Sequence, residues 1–316
     1  MRLNKVAIIG AGISGAFLAK QLSTIAGIEV DVFEKSRGIG GRMSTRHGEG
    51  FSFDHGAQYF TLRDENIRKM LSPHFDDVLK VWVTEGEKEF WSSAPQMNSL
   101  AKGLLQGANV HLQCEVSSLS RAAGQWVIHF KDQTSRGPYD WVVSTAPAPQ
   151  TSKIFPSEFN GHQDMRQVRI SPCFAVMLGF SEKLPSSLPV YLKPENAIVG
   201  WIAQNNSKPG RNQTQSCLVI QSTNSWAVQN LESDLELLKT LLSRESEEIL
   251  QIKFPESQYS SIHRWRYANT ESPVGRPALI DSGLQLIACG DWCLGARVEA
   301  ALLSAQSVLD HFKSLR

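Results

Sequence analysis

Three glycines near the N-terminus are the residues whose spacing most clearly suggests binding chemistry. An apolar run at positions 6–9 predicts a buried strand, and a glycine-rich turn follows it directly. The turn consists of Gly10, Ala11, Gly12, Ile13, Ser14 and Gly15. Gly10 permits a sharp turn, Gly12 lets a phosphate approach the backbone, and Gly15 lets the following helix pack closely on the strand. The N-terminus of that helix offers N–H groups and a partial positive charge to phosphate.

A carboxylate stands at the place where a nucleotide ribose needs one. A second apolar run, at positions 30–33, ends at Glu34, which lies 19 residues after Gly15. A carboxylate at the end of a second strand can accept hydrogen bonds from ribose hydroxyls. Glycine-rich turns alone are common, and a purely structural turn is the alternative. Strand, glycines, helix, second strand and acid in this order predict a dinucleotide-binding site.

The composition excludes several other classes of function. The chain has 316 residues, 41% of them apolar, which is enough for two domains or one large one. Its formal net charge of +1 gives no support for nucleic-acid or anionic-membrane binding. No apolar run reaches the length of about 18 residues that predicts a membrane span, and the N-terminus is not typical of a signal peptide. Five cysteines form no CxxC pair, which favours reduced thiols in a cytoplasmic protein, and the histidines lack the spacing of a metal site.

The pattern of apolar residues predicts that both ends of the chain join in one domain. Strand-like alternation dominates from about residue 150, and the strand–turn–helix pattern returns near residue 284. Residues 64–82 are predicted to be helical. We therefore expect an α/β fold with a discontinuous dinucleotide-binding domain and an inserted α+β substrate domain. The first comprises residues 1–70, 96–150 and 270–316, and the second comprises residues 71–95 and 151–269.

Three stretches together resemble the renalase family of the amine-oxidase-like flavoprotein superfamily. The first is GAGISG with Glu34, and the second is EKSRGIGGRMSTR (34–46) followed by FDHGAQYFT (53–61). The third is ACGDWCLGARVEAALLSA (288–305). The second stretch is the most specific, since a generic NAD dehydrogenase has no use for GGRMSTR after its second strand. The resemblance implies a Rossmann-type domain that binds FAD without a covalent bond.

The resemblance also implies which residues contact FAD. Arg42 is expected on the pyrophosphate and Asp291 on a ribityl hydroxyl. The helix that starts near 297–298 is expected at the N1–C2=O edge of the flavin, where its positive end stabilises negative charge. The full set is Gly10, Ala11, Gly12, Ile13, Ser14, Gly15, Glu34, Lys35, Ser36, Gly41, Arg42, Met43, His55, Gly56, Ala57, Gln58, Val116, Asp291, Arg297 and Val298.

Each of these positions also has a purely structural alternative. Arg42 can belong to a solvated basic loop, and Asp291 can cap a turn. Gly56 can mark a strand bulge. Val116, expected against the adenine, can be ordinary core, and His55 suits a structural role better than a flavin-proximal donor.

The family's reaction is the oxidation of 2- or 6-dihydro isomers of NAD(P)H to NAD(P)+, with dioxygen as acceptor and hydrogen peroxide as product. The chain has no second GxGxxG and no CxxxxC pair, so we expect the donor to bind directly over the flavin in the inserted domain. Candidate pocket residues are Tyr59, His263, Trp265 and Tyr267. The last three alternate along one predicted strand and so share a face, with Arg264 and Arg266 on the other. Core packing is the alternative for these aromatic side chains.

Three competing functions remain open at this point. An amine oxidase uses the same fold and flavin, and Trp265 with Tyr267 could form its aromatic cage. A non-catalytic binding module is a second alternative, against which the retained glycines, Glu34, Arg42 and Asp291 argue. A plain NAD-dependent dehydrogenase explains the N-terminal motif but neither 38–61 nor 288–305.

Overall fold

A computed structural model describes residues 4–316 of the chain. Its strands, in chain order, are β1 (Lys5–Ile9), β2 (Glu29–Phe33), β3 (Thr45–Gly48), β4 (Phe51–Asp54), β5 (Leu79–Glu85), β6 (Lys88–Ser93), β7 (Asn109–His111), β8 (Val116–Ala122), β9 (Gln125–Phe130), β10 (Ser135–Tyr139), β11 (Trp141–Ser144), β12 (Arg169–Phe180), β13 (Tyr191–Leu192), β14 (Val199–Gln204), β15 (Ser216–Ser222), β16 (Tyr259–Ser272), β17 (Ala278–Asp281) and β18 (Leu286–Cys289). The helices are α1 (Ile13–Leu22), α2 (Glu65–Leu71), α3 (Ser99–Leu104), α4 (Ala148–Ile154), α5 (His162–Gln167), α6 (Asn224–Gln229), α7 (Leu235–Leu250) and α8 (Val298–Ser314).

A six-stranded sheet joins the two ends of the chain. Its order is β17-β18-β11-β1-β2-β7, and every neighbouring pair is parallel except β17 with β18. β1 is apolar and buried because both faces of the sheet are covered, one by α1 and α8 and the other mainly by the strands β8, β9 and β10. The carboxyl ends of β1, β2, β11 and β18 therefore meet at one edge, where ligands of such sheets bind.

The N- and C-terminal helices pack together on this sheet. α1 is buried along most of its length, and α8 buries one face that includes Leu302, Leu309 and Phe312. The ring of Phe312 meets Trp141 of β11 edge to face, with 5.3 Å between centroids. This apolar contact holds the glycine turn before α1 and the loop before α8 on the same edge of the sheet.

A second, antiparallel sheet has the order β13-β14-β15-β12-β16. One face packs on α6 and α7, with Phe174, Ile220 and Leu242 in the core between them. The other face buries Met177 and Val219 against Phe51 and Phe53 of the β3–β4 hairpin. That hairpin leads into residues 55–58, so the second sheet positions this segment.

The helix expected over residues 64–82 is shorter than predicted. α2 ends at Leu71, a single 3₁₀ turn covers Ser72–His74, and β5 begins at Leu79. Pro73 lacks the N–H group that would continue the helix. The alternating apolar residues from Leu79 onward pair instead with β6 in an antiparallel hairpin.

The remaining strands form smaller units. β8, β9 and β10 make a three-stranded antiparallel sheet. Within residues 4–316, no helix combines the length and apolar character that crossing a bilayer requires.

Candidate cofactor and active-site cavity

A cavity of about 1770 Å³ runs from the carboxyl edge of the parallel sheet to the face of the second sheet. A pocket for one drug-sized ligand typically measures roughly 300–1,000 Å³. The cavity therefore has room for a dinucleotide and a second molecule. Of the site residues predicted from the sequence, all line it except Ala11 and Gly15.

The three glycines of the turn have different roles in the structure. Gly10 has a φ of +107°, and a Cβ there would lie 2.6 Å from Thr145 Oγ1. A Cβ on Gly15 would lie 2.0 Å from the Gly10 carbonyl oxygen. Gly12 differs, since its φ of −72° suits any residue and a Cβ would meet no protein atom within 4 Å. Gly10 and Gly15 are thus needed by the fold, whereas Gly12 leaves space open to the cavity.

Glu34 anchors the glycine turn as well as facing the cavity. Its Oε2 accepts from the N–H of Ala11 at 2.9 Å, and its Oε1 accepts from the N–H of Ser36 at 2.8 Å. Ala11 is fully buried behind the turn, which explains its absence from the cavity wall. A carboxylate has about four lone-pair sites, so Glu34 keeps acceptor capacity for a ligand.

Arg42 and Asp291 bind each other, an arrangement that sequence reasoning missed. Arg42 Nη1 donates to Asp291 Oδ2 at 2.9 Å, and Nη2 donates to Oδ1, so the pair is bidentate. Nη1 also donates to the Ala268 carbonyl at 3.1 Å, and Thr270 Oγ1 donates to Asp291 at 3.3 Å. Both charged groups lie on the wall of the same cavity, and through this contact each neutralises the charge of the other. The pair ties the 38–46 loop to β16 and to the loop before α8.

His55, His263 and Trp265 form one aromatic group on the cavity wall. The His55 ring stacks on Trp265 with 5.1 Å between centroids, and His263 lies edge-on to both. Trp265 Nε1 donates to the His55 carbonyl at 2.8 Å. Arg46 Nη2 lies 3.3 Å from His263 Nδ1. The wall thus combines a flat indole surface with two imidazoles.

Both imidazoles are neutral at neutral pH. Burial, followed by the His263 and Arg46 charges, lowers the pKa of His55 to about 3. Burial and Arg46 lower the pKa of His263 to about 4. Within the described residues, the buried Nδ1 of His55 has no hydrogen-bond partner.

Tyr59 belongs to a different aromatic group from the other predicted pocket residues. It stacks on Phe90 at 4.2 Å and approaches Trp201 at 5.4 Å, and Trp201 stacks on Tyr191 at 4.6 Å. Burial and the Glu85 charge raise the pKa of Tyr59. Trp201 on β14 also lines the cavity and was not among the predicted pocket residues; its aromatic type within the strand-like region after residue 150 is the signal that could have indicated it. Tyr267 lines the cavity farther along β16.

The cavity carries a strong excess of positive charge. Twelve lysine and arginine residues line it, against three carboxylates, which are Glu34, Glu115 and Asp291. The part of the wall drawn from residues 173–269 includes Lys193 and no carboxylate. Arg264 and Arg266 project from the opposite face of β16 to Trp265: both pair with Glu232, and the Arg264 guanidinium lies over Phe174 in the core behind the sheet. Such a lining attracts ligands that carry phosphate.

The described residues contain no group of three or more His, Cys, Asp or Glu side chains arranged to hold a metal ion. The five cysteines are free thiols. Burial raises the pKa of the Cys289 thiol to about 12 and that of Cys173 to about 11, so both thiols are protonated at neutral pH.

Fold and cavity together define an FAD-dependent oxidoreductase, and comparisons with known proteins agree. A family model of NAD(P)-binding Rossmann-like domains matches residues 8–73, and a model of flavin-containing amine oxidoreductases matches residues 72–308. The chain belongs to the family of flavin-containing amine oxidoreductases. The predicted α/β fold, the FAD cofactor and the amine-oxidase-like superfamily are thereby confirmed.

Sequence similarity to curated proteins is confined to a short segment. The 4,4'-diapophytoene desaturase of Staphylococcus aureus strain Newman is 40% identical over 79 residues, and that of strain MRSA252 is 33% identical over the same length. Each match covers 24% of this chain and 16% of the desaturase.

Solved structures match over nearly the full length. A putative protoporphyrinogen oxidase from Exiguobacterium sp. 255-15 has a TM-score of 0.74 at 12% identity, with all of both chains covered. A triple mutant of putrescine oxidase has a TM-score of 0.72 at 12% identity, with 99% of each chain covered. An oxidoreductase from Methanosarcina mazei has a TM-score of 0.64 at 15% identity, covering 97% of this chain. At these identities the likeness concerns the fold alone.

The residues on the cavity fit the cofactor of this family. Gly12 leaves a space that any Cβ would fill, and no side chain caps the N-terminus of α1. The N-terminus of α8 likewise has no side-chain cap. An uncapped helix N-terminus beside an open glycine suits a pyrophosphate.

Proposed function

We propose that the protein oxidises 2- or 6-dihydro isomers of NAD(P)H to NAD(P)+, with dioxygen as acceptor and hydrogen peroxide as product. Bound FAD supplies the two-electron acceptor for the hydride. On this proposal the chain is a member of the renalase family. The parallel sheet with its flanking helices is the FAD domain, and residues 151–269 supply most of the substrate domain.

The charge of the cavity is the observation that carries this proposal. A dihydronicotinamide dinucleotide brings two or three phosphate groups in addition to the two of FAD. Apart from Arg264 and Arg266, the lining has ten cations against three carboxylates, which complements these phosphates. A polyamine brings ammonium groups instead. The wall formed by residues 173–269 offers these groups no carboxylate. Electrostatics therefore favour the dinucleotide over a polycation.

We propose that FAD lies along the glycine turns. Gly12 and the N-terminus of α1 accommodate the pyrophosphate, Glu34 accepts from the adenosine ribose, and Val116 lies against the adenine. Gly56 and Ala57 lie beside the flavin ring, and a Cβ on Gly56 would lie only 1.9 Å from the Arg42 carbonyl oxygen. The remaining proposed contacts are Lys35, Ser36, Gly41, Met43, Gln58, Arg297 and Val298.

The reaction needs positioning more than acid–base catalysis. The nitrogen lone pair of a dihydronicotinamide drives hydride loss and yields an aromatic cation. The protein must hold the donor carbon about 3–3.5 Å from the accepting atom. Trp265 is held by its hydrogen bond to His55 and offers a flat surface for such a ring. Neutral His55 and His263 add no positive charge that would repel the developing cation.

An amine oxidase is the second candidate function. The family model and the fold of putrescine oxidase are equally consistent with it. The aromatic pair of Tyr59 and Trp201 could enclose an amine, and Glu85 lies close enough to raise the pKa of Tyr59. Glu85 thus supplies a carboxylate near Tyr59 that could attract the ammonium group of an amine substrate.

Rapid mixing of the FAD-loaded protein with a panel of donors separates the two functions. The panel contains the 2-, 4- and 6-dihydro isomers of NADH and NADPH, putrescine, spermidine and benzylamine. We expect fast bleaching of the flavin by a 2- or 6-dihydro isomer, and slow bleaching by the 4-dihydro isomer because its hydride is on a different ring carbon. Fast reduction by an amine without response to the 2- or 6-dihydro isomers contradicts the proposal.

A further inference from the structure

Three charged side chains outside the cavity form a completely buried ion cluster, consisting of Asp54, Lys208 and Arg211. Asp54 Oδ2 lies 2.6 Å from Arg211 Nη2 and 3.2 Å from Lys208 Nζ, and all three side chains are at most 1% exposed. Asp54 Oδ1 accepts from Thr45 Oγ1 at 2.6 Å and from the Met97 N–H at 3.2 Å.

The cluster is costly for a purely structural element. It holds two cations and one anion, so one positive charge stays unbalanced among these three groups. A buried ion pair is often no more stabilising than apolar residues of the same volume, and an unbalanced buried cation is worse. Stability alone therefore gives a poor account of Lys208.

Lys208 reaches the cavity through Gln58. Its Nζ donates to Gln58 Oε1 at 3.3 Å, and Gln58 Nε2 donates to the carbonyls of Asp54 and, at 3.1 Å, Gly56. Gln58 lines the cavity, whereas Lys208 and Arg211 do not. The side-chain amide of Gln58 is thus held at its oxygen by Lys208 and at its nitrogen by the backbone beside the cavity.

Other side chains from the second sheet fix the same segment. Gln221 Nε2 donates to the Gly56 carbonyl at 2.7 Å, and Trp265 Nε1 donates to the His55 carbonyl at 2.8 Å. The N–H of Ala57 donates to the Arg42 carbonyl at 2.8 Å. Residues 55–58 are therefore held on one side by β15 and β16 and on the other by the ion cluster.

We propose that Lys208 is a positioning residue for the oxidation, acting through Gln58 on the segment 55–58 at the cavity. This inference rests on one element of the proposed function, namely that the segment 55–58 lies beside the flavin ring. The protonated ammonium holds the Gln58 amide in one orientation and so sets the shape of the cavity at the reacting ring.

This role is sensitive to alkaline pH. Burial is the largest influence on Lys208 and lowers its pKa to about 8; the Arg211 charge acts in the same direction, and Asp54 opposes both. From β5, the uncharged Trp82 ring lies 5.3 Å from Lys208 Nζ. His55, next to Asp54, has a pKa near 3 and does not titrate in this range. Most Lys208 side chains are therefore protonated at pH 7, and the ammonium charge is lost as the pH rises through about 8.

The test compares Lys208→Met, which keeps most of the side-chain length and removes the charge, with Lys208→Arg, which keeps the charge. Lys183→Met is the control, since Lys183 is exposed. Three quantities are measured from pH 6 to 10: the rate of flavin reduction, the affinity for FAD, and the absorption spectrum of the bound flavin. The donor is the one that reduces the parent protein fastest.

We expect Lys208→Met to slow reduction at least about tenfold at pH 7 while FAD affinity changes little, since a small misplacement costs that much. The parent rate and flavin spectrum should change near pH 8, and this transition should be absent from Lys208→Met. Lys208→Arg should recover most of the rate, and Lys183→Met should match the parent. A Lys208→Met protein with the parental rate and the parental transition overturns the proposal.

If Lys208→Met does not fold, Gln58→Met tests the same link with the ion cluster intact. It should slow reduction and remove the pH 8 transition, and a Gln58→Met protein with both unchanged overturns the proposal. If both variants fold, the double variant should be no slower than the slower single variant. Should only amines reduce the parent protein, the proposed substrate fails, yet the variants measured with an amine still decide the role of Lys208.

Discussion

The two walls of the cavity are built in different ways. The wall at the edge of the parallel sheet is built around backbone, since the turns at Gly10–Gly12 and Gly40–Gly41 expose main-chain atoms to the cavity. The wall on the second sheet consists of side chains, with Trp201, His263 and Trp265 arranged by contacts between distant strands. A backbone wall binds a cofactor that many proteins share, whereas a side-chain wall can change its substrate without changing the fold.

The sharpest test of the backbone wall is Gly12→Val, for which we expect complete loss of FAD binding. A Cβ at Gly12 meets no protein atom within 4 Å, so the apoprotein should fold with its usual melting temperature. The side chain fills the space proposed for the pyrophosphate. Titration with FAD and thermal unfolding of the apoprotein measure the two effects.

Gly15→Val is the matched control for that variant. Its Cβ would lie 2.0 Å from the Gly10 carbonyl oxygen, so it should lower the melting temperature of the apoprotein itself. A Gly12→Val protein that still binds FAD shows that the pyrophosphate lies elsewhere.

The seam between the two walls is the pair of Arg42 and Asp291. We expect Arg42→Met to destabilise the apoprotein by about 1.5–3 kcal/mol, the range for hydrogen bonds to charged groups. The double variant Arg42→Met with Asp291→Asn should lose less than the sum of the single losses, because the partners are in contact. Urea unfolding of the FAD-free protein measures these values. An apoprotein whose stability is unchanged by Arg42→Met means that Arg42 serves the cofactor alone.

The side-chain wall is tested by Trp265→Ala and Trp265→Phe. Alanine removes the ring that stacks on His55 and the hydrogen bond to its carbonyl, whereas phenylalanine keeps a ring and loses the bond. We expect flavin reduction to slow about tenfold in the alanine variant and less in the phenylalanine variant, with FAD affinity nearly unchanged. Trp226→Phe is the control, since Trp226 packs behind the sheet against Phe174. Equal reduction rates in all variants return Trp265 to a structural role.

The contrast between the walls also explains what the sequence could predict. The glycine turn, Glu34 and β16 depend on local spacing, and the structure has them where expected. The pairs of Arg42 with Asp291 and of Asp54 with Lys208 join residues 249 and 154 positions apart. No local pattern encodes such contacts, since they depend on how two sheets pack.

The expected helix over 64–82 shows a related limit. The helical spacing of apolar residues did not determine the structure after Leu71, because Pro73 interrupts the helix and residues from Leu79 onward pair with β6. Pairing depends on a partner strand that a single segment does not reveal. In the same way, Tyr59 could be predicted on the cavity, but its separation from Trp265 could not.

The smallest effect concerns the two buried histidines of the side-chain wall. Their pKa values in the folded protein, about 3 for His55 and about 4 for His263, lie below the ordinary value of 6.5. Between pH 6.5 and about 4 the unfolded chain therefore binds more protons than the folded one, so stability is complete above pH 6.5 and falls as the pH falls. Between pH 6.5 and 5.5, each histidine lowers the free energy of unfolding by at most about 1.4 kcal/mol.

Urea unfolding of the apoprotein at both pH values should show this loss, and His263→Gln should reduce it. His47→Gln is the control because His47 is exposed, and it should leave the loss unchanged. If His263→Gln loses as much stability as the parent over this interval, the His263 imidazole is not held neutral by burial, and this side-chain wall is more solvated than the backbone wall opposite.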